Sequence, residues 1–175
     1  MRPEQSYSIW LVPKGDVNKR LSIIIDELSE RCNSPRFIPH VGLVGGFTGD
    51  EGDLISKTKS LSKKIHPFSV MLTDVSRRDE FFRSLFITVE KTPEFMEAYE
   101  AARAMFNCYG ELYEPEKYMP HLSLIYASLD DKTKDDITGK IGSSFNTSFE
   151  AGSIYLFHSN EKDKIWSEIK DFSLK

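Results

Sequence analysis

Apolar positions along the first half of the chain switch between the spacing of a strand and that of a helix. Residues 6–12 (SYSIWLV) are β-branched and aromatic, which predicts a strand. Leu21, Ile24, Ile25 and Leu28 then recur at helical intervals and predict a helix over 17–32 capped by Asp16, ended by Asn33-Ser34-Pro35. A short strand follows over 40–44, and Gly45-Gly46 is expected to break it. Leu54, Ile55 and Leu61 predict a second amphipathic helix over 51–64. Residues 68–75 and 85–89 read as two strands of a meander joined by a polar turn at 76–80.

Thr92-Pro93-Glu94 opens a third helix, because proline at the first turn loses no hydrogen bond there. Phe95, Tyr99, Ala102 and Phe106 form its apolar face, and a polar loop over 109–118 follows. Residues 121–127 predict a strand, 131–141 a charged helix, and 153–158 and 165–172 two closing strands. This order describes an α+β protein with mostly antiparallel sheet. A chain of 175 residues fits one domain or two tightly fused halves.

Internal comparison yields one short repeat. Pro39-His40-Val41-Gly42-Leu43-Val44 lines up with Pro120-His121-Leu122-Ser123-Leu124-Ile125, about half a chain length later. Strand side chains alternate between faces, so His40 shares a face with Gly42, and His121 with Ser123, while the aliphatic residues between them face a core. Two similar lobes meeting at a groove would bring both imidazoles together. Imidazole titrates near neutral pH, so one histidine can accept a proton while the other donates one. Hydrolysis of a cyclic phosphodiester needs both roles, a base for water and an acid for the departing ribose oxygen. Ser123 is a candidate donor to a phosphate oxygen as charge builds there.

With these residues the chain resembles the two-histidine (2H) phosphoesterase superfamily, whose motif is His-x-Ser/Thr-apolar used twice. The stretches YSIWLVP (7–13), FFRSLFITVEKTPEFMEA (81–98) and YMPHLSLIYASL (118–129) most resemble the plant-type cyclic phosphodiesterases. The resemblance implies a bilobal, pseudo-symmetric fold: two mostly antiparallel sheets with flanking helices around a central cleft, and residues 1–175 forming one bilobal domain with a histidine motif in each lobe. It implies a metal-independent hydrolase without cofactor, acting on ADP-ribose 1″,2″-cyclic phosphate and nucleoside 2′,3′-cyclic phosphates. By position it makes His40 and His121 the catalytic pair and Ser123 a phosphate donor, sets Trp10 and Phe82 beside the base or sugar, and places Tyr126 near the phosphate. Strict alternation would turn Tyr126 away from the histidine face, so a bulge or twist at the strand end is required.

Gly42 departs from the pattern, standing where the family has Thr or Ser. Losing one donor to developing charge typically costs ~10²–10³ in rate. Gly42 keeps open a binding module that recognises a nucleotide phosphate without turning it over, and the same fold also allows a phosphodiesterase for 2′,5′-linked oligonucleotides or RNA ends. A formal charge of −4 argues against an extended nucleic-acid surface. Lys57, Lys59, Lys63 and Lys64 read as a solvated helix face, and His66 and His158 as structural. No metal-ligand spacing is present. Cys32 and Cys108 are expected to be free thiols: Cys108 matches one of a cysteine pair in plant relatives, but Ala102 stands at the partner position. No signal peptide and no membrane-spanning apolar run appear, so a cytoplasmic, soluble monomer with a small nucleotide substrate is expected.

Overall fold

The computed structural model describes residues 4–175. The stretch read above for a targeting signal begins at Met1, and residues 1–3 lie outside this range. Eight strands form one curled sheet in the order β6-β3-β4-β5-β2-β1-β7-β8, and every pairing is antiparallel. The strands are β1 (Gln5–Leu11), β2 (Val41–Phe47), β3 (Phe68–Arg77), β4 (Leu85–Val89), β5 (His121–Ile125), β6 (Ser144–Ala151), β7 (Ser153–Asn160) and β8 (Ile165–Ser173). The helices are α1 (Gly15–Arg31), α2 (Glu51–Ser62), α3 (Pro93–Phe106) and α4 (Asp131–Ile141).

The sheet has a seam. Only Val41 and Leu122 pair between β2 and β5, whereas the other neighbouring strands share several residue pairs. The seam divides two four-stranded halves, β2-β1-β7-β8 and β5-β4-β3-β6, each ending at the centre in a His-bearing strand. This is the expected bilobal α+β architecture, with the two sheets hydrogen-bonded into one. The helices cross over: α1 packs on β5 and β6, while α3 packs on β2 and β3. Alternation along the central strands explains why. Ile9, Leu11, Val41, Leu43, Leu122 and Leu124 join the large core with Leu21 and Leu28 of α1 and Phe95 and Tyr99 of α3. Trp10 belongs instead to a separate small cluster with Tyr155 and Phe157.

Local chemistry fixes most boundaries. Asp50, Thr92 and Asp130 cap α2, α3 and α4 by accepting from the backbone N–H groups of Asp53, Phe95 and Thr133. Asp16 does not cap α1. That helix starts at Gly15, with Lys14 extended at the cap position, and places Asp16 in its first turn where a carboxylate faces unpaired N–H groups. Gly45-Gly46 does not end β2, which runs on to Phe47. A Cβ at Gly45 would meet the Ser8 Cβ at 2.9 Å, and Gly46 has φ +82°, so the two glycines carry the strand through an irregular register against β1.

Strand β6 was not anticipated. Phe145, Phe149 and Ala151 are buried on one face of it, while Ser144, Asn146, Ser148 and Glu150 are exposed. The predicted 76–80 turn is partly strand, since β3 reaches Arg77, and a short 3-10 turn (Phe81–Arg83) follows it. Cys32 and Cys108 are free thiols. No helix among the described residues is long and apolar enough to cross a membrane.

Candidate active site

The seam sets four motif positions on one face. Counting outward from the Val41–Leu122 pair, His40 falls opposite Ser123, and Gly42 opposite His121. His40 and His121 then sit on a diagonal, a relation that separates Cα atoms by roughly 7–8 Å. All four residues line one cleft of about 550 Å³, together with Ser8, Trp10, Phe82, Tyr118 and Tyr126.

Both histidines are held in the same way. His40 Nδ1 lies 2.8 Å from the Ile38 carbonyl, and His121 Nδ1 lies 2.9 Å from the Met119 carbonyl. A carbonyl can only accept, so each Nδ1 carries a hydrogen and Nε2 is the nitrogen left for chemistry. The repeated Pro-His dipeptide produces this geometry: the fixed φ of Pro39 and Pro120 presents the carbonyl two residues back to the ring.

Their surroundings then differ. The register pairs Trp10 with Gly42 and Phe86 with Ser123, so Trp10 and Phe86 are counterparts in the two halves. Trp10 stacks flat on His40, with ring centroids 3.5 Å apart and planes within 7°, and it stacks on Phe157 as well. Phe86 meets His121 edge-on at 5.4 Å. His40 is buried and His121 only half-buried. Burial disfavours the imidazolium and lowers the His40 pKa from 6.5 to about 4. The hydrogen bond to the Ile38 carbonyl opposes that shift, and the charge of His121 adds to it.

Tyr126 lies just beyond the end of β5, after a register shift between Leu85 and Phe86. This irregularity frees it from alternation and brings its hydroxyl to 3.4 Å from His40 Nε2, a long contact. Phe37 stacks on Tyr126 at 3.8 Å, and Phe82 meets it edge-on. Ser123 donates its hydroxyl hydrogen to the Phe82 carbonyl at 2.7 Å, so a phosphate would take that hydrogen only by releasing the carbonyl. Trp10 is buried, stacked between His40 and Phe157. At Gly42, an added Cβ would meet nothing within 4 Å, and the position carries no positive φ. The structure therefore brings together all seven residues singled out above: His40, His121, Ser123, Tyr126, Trp10, Phe82 and Gly42.

Other residues of the cleft escaped sequence reasoning. Tyr118 donates to the Gly42 carbonyl at 2.7 Å across the seam and stacks on Tyr99 at 3.7 Å. Ser8 shares the Trp10 face of β1 by simple alternation, and its buried hydroxyl has no hydrogen-bond partner among the described residues. Arg78 and Lys117 bring positive charge to the rim. His66 and His158 lie away from the cleft, His66 donating to the Lys175 carbonyl and His158 packing against Tyr7. Among the described residues, no three His, Cys, Asp or Glu side chains gather as a metal site.

Comparison with known proteins gives one family. Residues 5–174 match the family model of cyclic phosphodiesterase-like proteins. The cyclic phosphodiesterase of Arabidopsis thaliana is 30% identical over 164 residues, covering 90% of this chain and 87% of that protein. A 2′,3′-cyclic-nucleotide 3′-phosphodiesterase of Phaeosphaeria nodorum is 32% identical over 133 residues, covering 68% of this chain and 67% of that protein. Among solved structures, TT0787 of Thermus thermophilus superimposes with a TM-score of 0.68 at 16% identity over 97% of both chains. Apo LigT of E. coli gives 0.67 at 14% over 98% of both. These last two likenesses concern the fold.

Proposed function

The chain belongs to the cyclic phosphodiesterase-like protein family and is a hydrolase of that class, and from this premise we propose that it opens small cyclic phosphodiesters by acid–base catalysis between His40 and His121. The proposed substrates are ADP-ribose 1″,2″-cyclic phosphate, giving the 1″-phosphate, and nucleoside 2′,3′-cyclic phosphates, giving 2′-phosphates. The observation that carries the reading is the pair of imidazoles on one face of the seam, each with Nδ1 tied to a backbone carbonyl.

The roles follow from the two environments. His40 has its pKa lowered to about 4 and is neutral near pH 7, which suits it to act as base. Water attacks phosphorus in line, and its proton passes to His40 Nε2. The bond from phosphorus to the departing ribose oxygen breaks, and that oxygen takes a proton from His121 Nε2. Exchange with solvent then restores both rings. Trp10 keeps water from one face of His40 and so sustains the neutral base. Ser123, across from His40, becomes a donor to the phosphate if it exchanges its bond to the Phe82 carbonyl for one to the substrate.

One observation favours a second reading, a module that binds nucleotide phosphates without turnover: Gly42 leaves one hydroxyl of the quartet missing. Phosphorus NMR of each substrate incubated with the protein and EDTA separates the two. Conversion to the 1″- or 2′-phosphate supports the enzyme and its proposed products, the 3′-phosphate overturns the assigned leaving oxygen, and no conversion over hours overturns the enzyme.

A further inference from the structure

Three cations, Arg78, Arg83 and Lys117, and two carboxylates, Glu80 and Glu161, line the cleft, and the proposed reaction uses none of them. Residues Arg77, Arg78 and Asp79 lead from the end of β3 to the 3-10 turn, and their side chains diverge. Arg77 bonds Asp135 of α4 at 2.5 Å, and Asp79 accepts from Lys134 of the same helix at 2.5 Å. The Lys134 side chain is only 2% exposed, so this anchor is built into the fold. With its neighbours tied to α4, Arg78 between them lines the cleft. Its backbone N–H donates to the Arg83 carbonyl at 3.1 Å, which closes the loop.

The guanidinium of Arg78 is poorly matched. It donates to the Met119 sulfur at 3.5 Å, a weak acceptor, and the Glu80 carboxylate stays 3.9 Å away. Glu80 is committed elsewhere, forming a two-nitrogen bond with Arg83. Met119 is also the residue whose carbonyl holds His121, so Arg78 reaches the His121 end of the cleft. Lys117 lines the same cleft, is exposed, and has no ion pair among the described residues. In a chain of net charge −4, two under-partnered cations beside a proposed phosphate site call for a second anion.

Resting on the reading above, we infer that Arg78, with Lys117, receives a second phosphate of the substrate, an ester on C5 of the same ribose that carries the cyclic phosphate. Arg78 is the specific contact because its planar fork can bind two phosphate oxygens, and Lys117 adds a point charge. The protein therefore prefers cyclic phosphates that bear a 5-phosphate or pyrophosphate over the same ring without one. A matched pair of substrates that differ only in that group tests the preference.

The experiment compares adenosine 2′,3′-cyclic phosphate with its 5′-phosphorylated form, using unmodified protein, Arg78→Ala, Arg78→Lys and Lys117→Ala. Charge-assisted bonds of this type are worth about 10- to 100-fold. The unmodified protein should favour the 5′-phosphorylated substrate by at least about tenfold in kcat/KM, mainly through KM. Arg78→Ala should bring the ratio to near one, with the larger loss in kcat/KM falling on the 5′-phosphorylated substrate. Arg78→Lys and Lys117→Ala should each keep part of the preference. A ratio near one in the unmodified protein, or an unchanged ratio in Arg78→Ala, overturns the inference. If neither substrate turns over, the nucleoside 2′,3′-cyclic phosphate part of the hydrolase proposal fails, and calorimetry with ADP and adenosine still decides this one. ADP binding that is at least about tenfold tighter than adenosine and lost in Arg78→Ala supports the receptor, and equal binding overturns it.

Discussion

Lowering the pH from 7 to 4 is a perturbation whose effect on His40 can be worked out in advance. Its pKa falls from 6.5 to about 4 in the folded protein because Trp10 lies flat on the ring and the residue is buried. Above pH 6.5 the ring is neutral in both folded and unfolded chains, and folding carries no proton cost. Between pH 6.5 and 4 the unfolded chain binds a proton that the folded protein refuses, so stability falls as pH falls. Below about pH 4 both states are protonated and the loss stops growing. At 1.36 kcal/mol per pKa unit, the full loss is about 3 kcal/mol. Carboxylates also titrate in this window, so the measurement is a difference. Urea unfolding of the unmodified protein and of His40→Gln, taken at half-unit steps from pH 7 to 4, cancels the shared terms. The stability advantage of the unmodified protein should shrink by about 3 kcal/mol over that range. The same ring sets the acid limb of kcat/KM, whose midpoint should lie near pH 4. A His40 proton NMR titration with its midpoint near 6.5, together with a pH-independent stability difference, would refute the reasoning.

Three further outcomes follow from the cleft. Gly42→Thr should fold normally, since its Cβ meets open space, and should raise kcat by about tenfold or more by adding a donor beside the phosphate; steady-state kinetics and a thermal melt check both halves. Trp10→Leu should lift the acid limb of kcat/KM from about 4 toward 6.5 by re-exposing His40, a shift that a pH–rate profile reads directly. Tyr118→Phe removes the donor to the Gly42 carbonyl across the seam and should cost about 1 kcal/mol in urea unfolding.

The histidine strands were legible because one short pattern fixes several things together. Alternation in PHVGLV and PHLSLI separates core from cleft residues, and the proline before each histidine orients the ring. Long amphipathic helices were equally clear, as in Leu21, Ile25 and Leu28 of α1. Strand β6 was hidden because its inward face runs Phe145-Thr147-Phe149-Ala151, with a polar residue in the row and Asn146 at positive φ. Gly45-Gly46 looked like a terminator, yet the close approach of Ser8 requires glycine within the strand. The bulge that redirects Tyr126 could be demanded from sequence but not located, because it depends on the partner strand β4. Arg78 and Tyr118 act through contacts made across the chain, to Met119 and to Gly42, and no local periodicity encodes those.

The central claim is that two histidines, one from each half of the sheet, divide the proton transfers. Its most direct test is the single-turnover rate of ADP-ribose 1″,2″-cyclic phosphate and of a nucleoside 2′,3′-cyclic phosphate with unmodified protein, His40→Ala and His121→Ala. Positioned acid–base groups contribute about 10²–10⁴-fold each. The account predicts that each variant loses at least about 100-fold in rate while still binding substrate. A rate within about tenfold of the unmodified protein for either variant would contradict it.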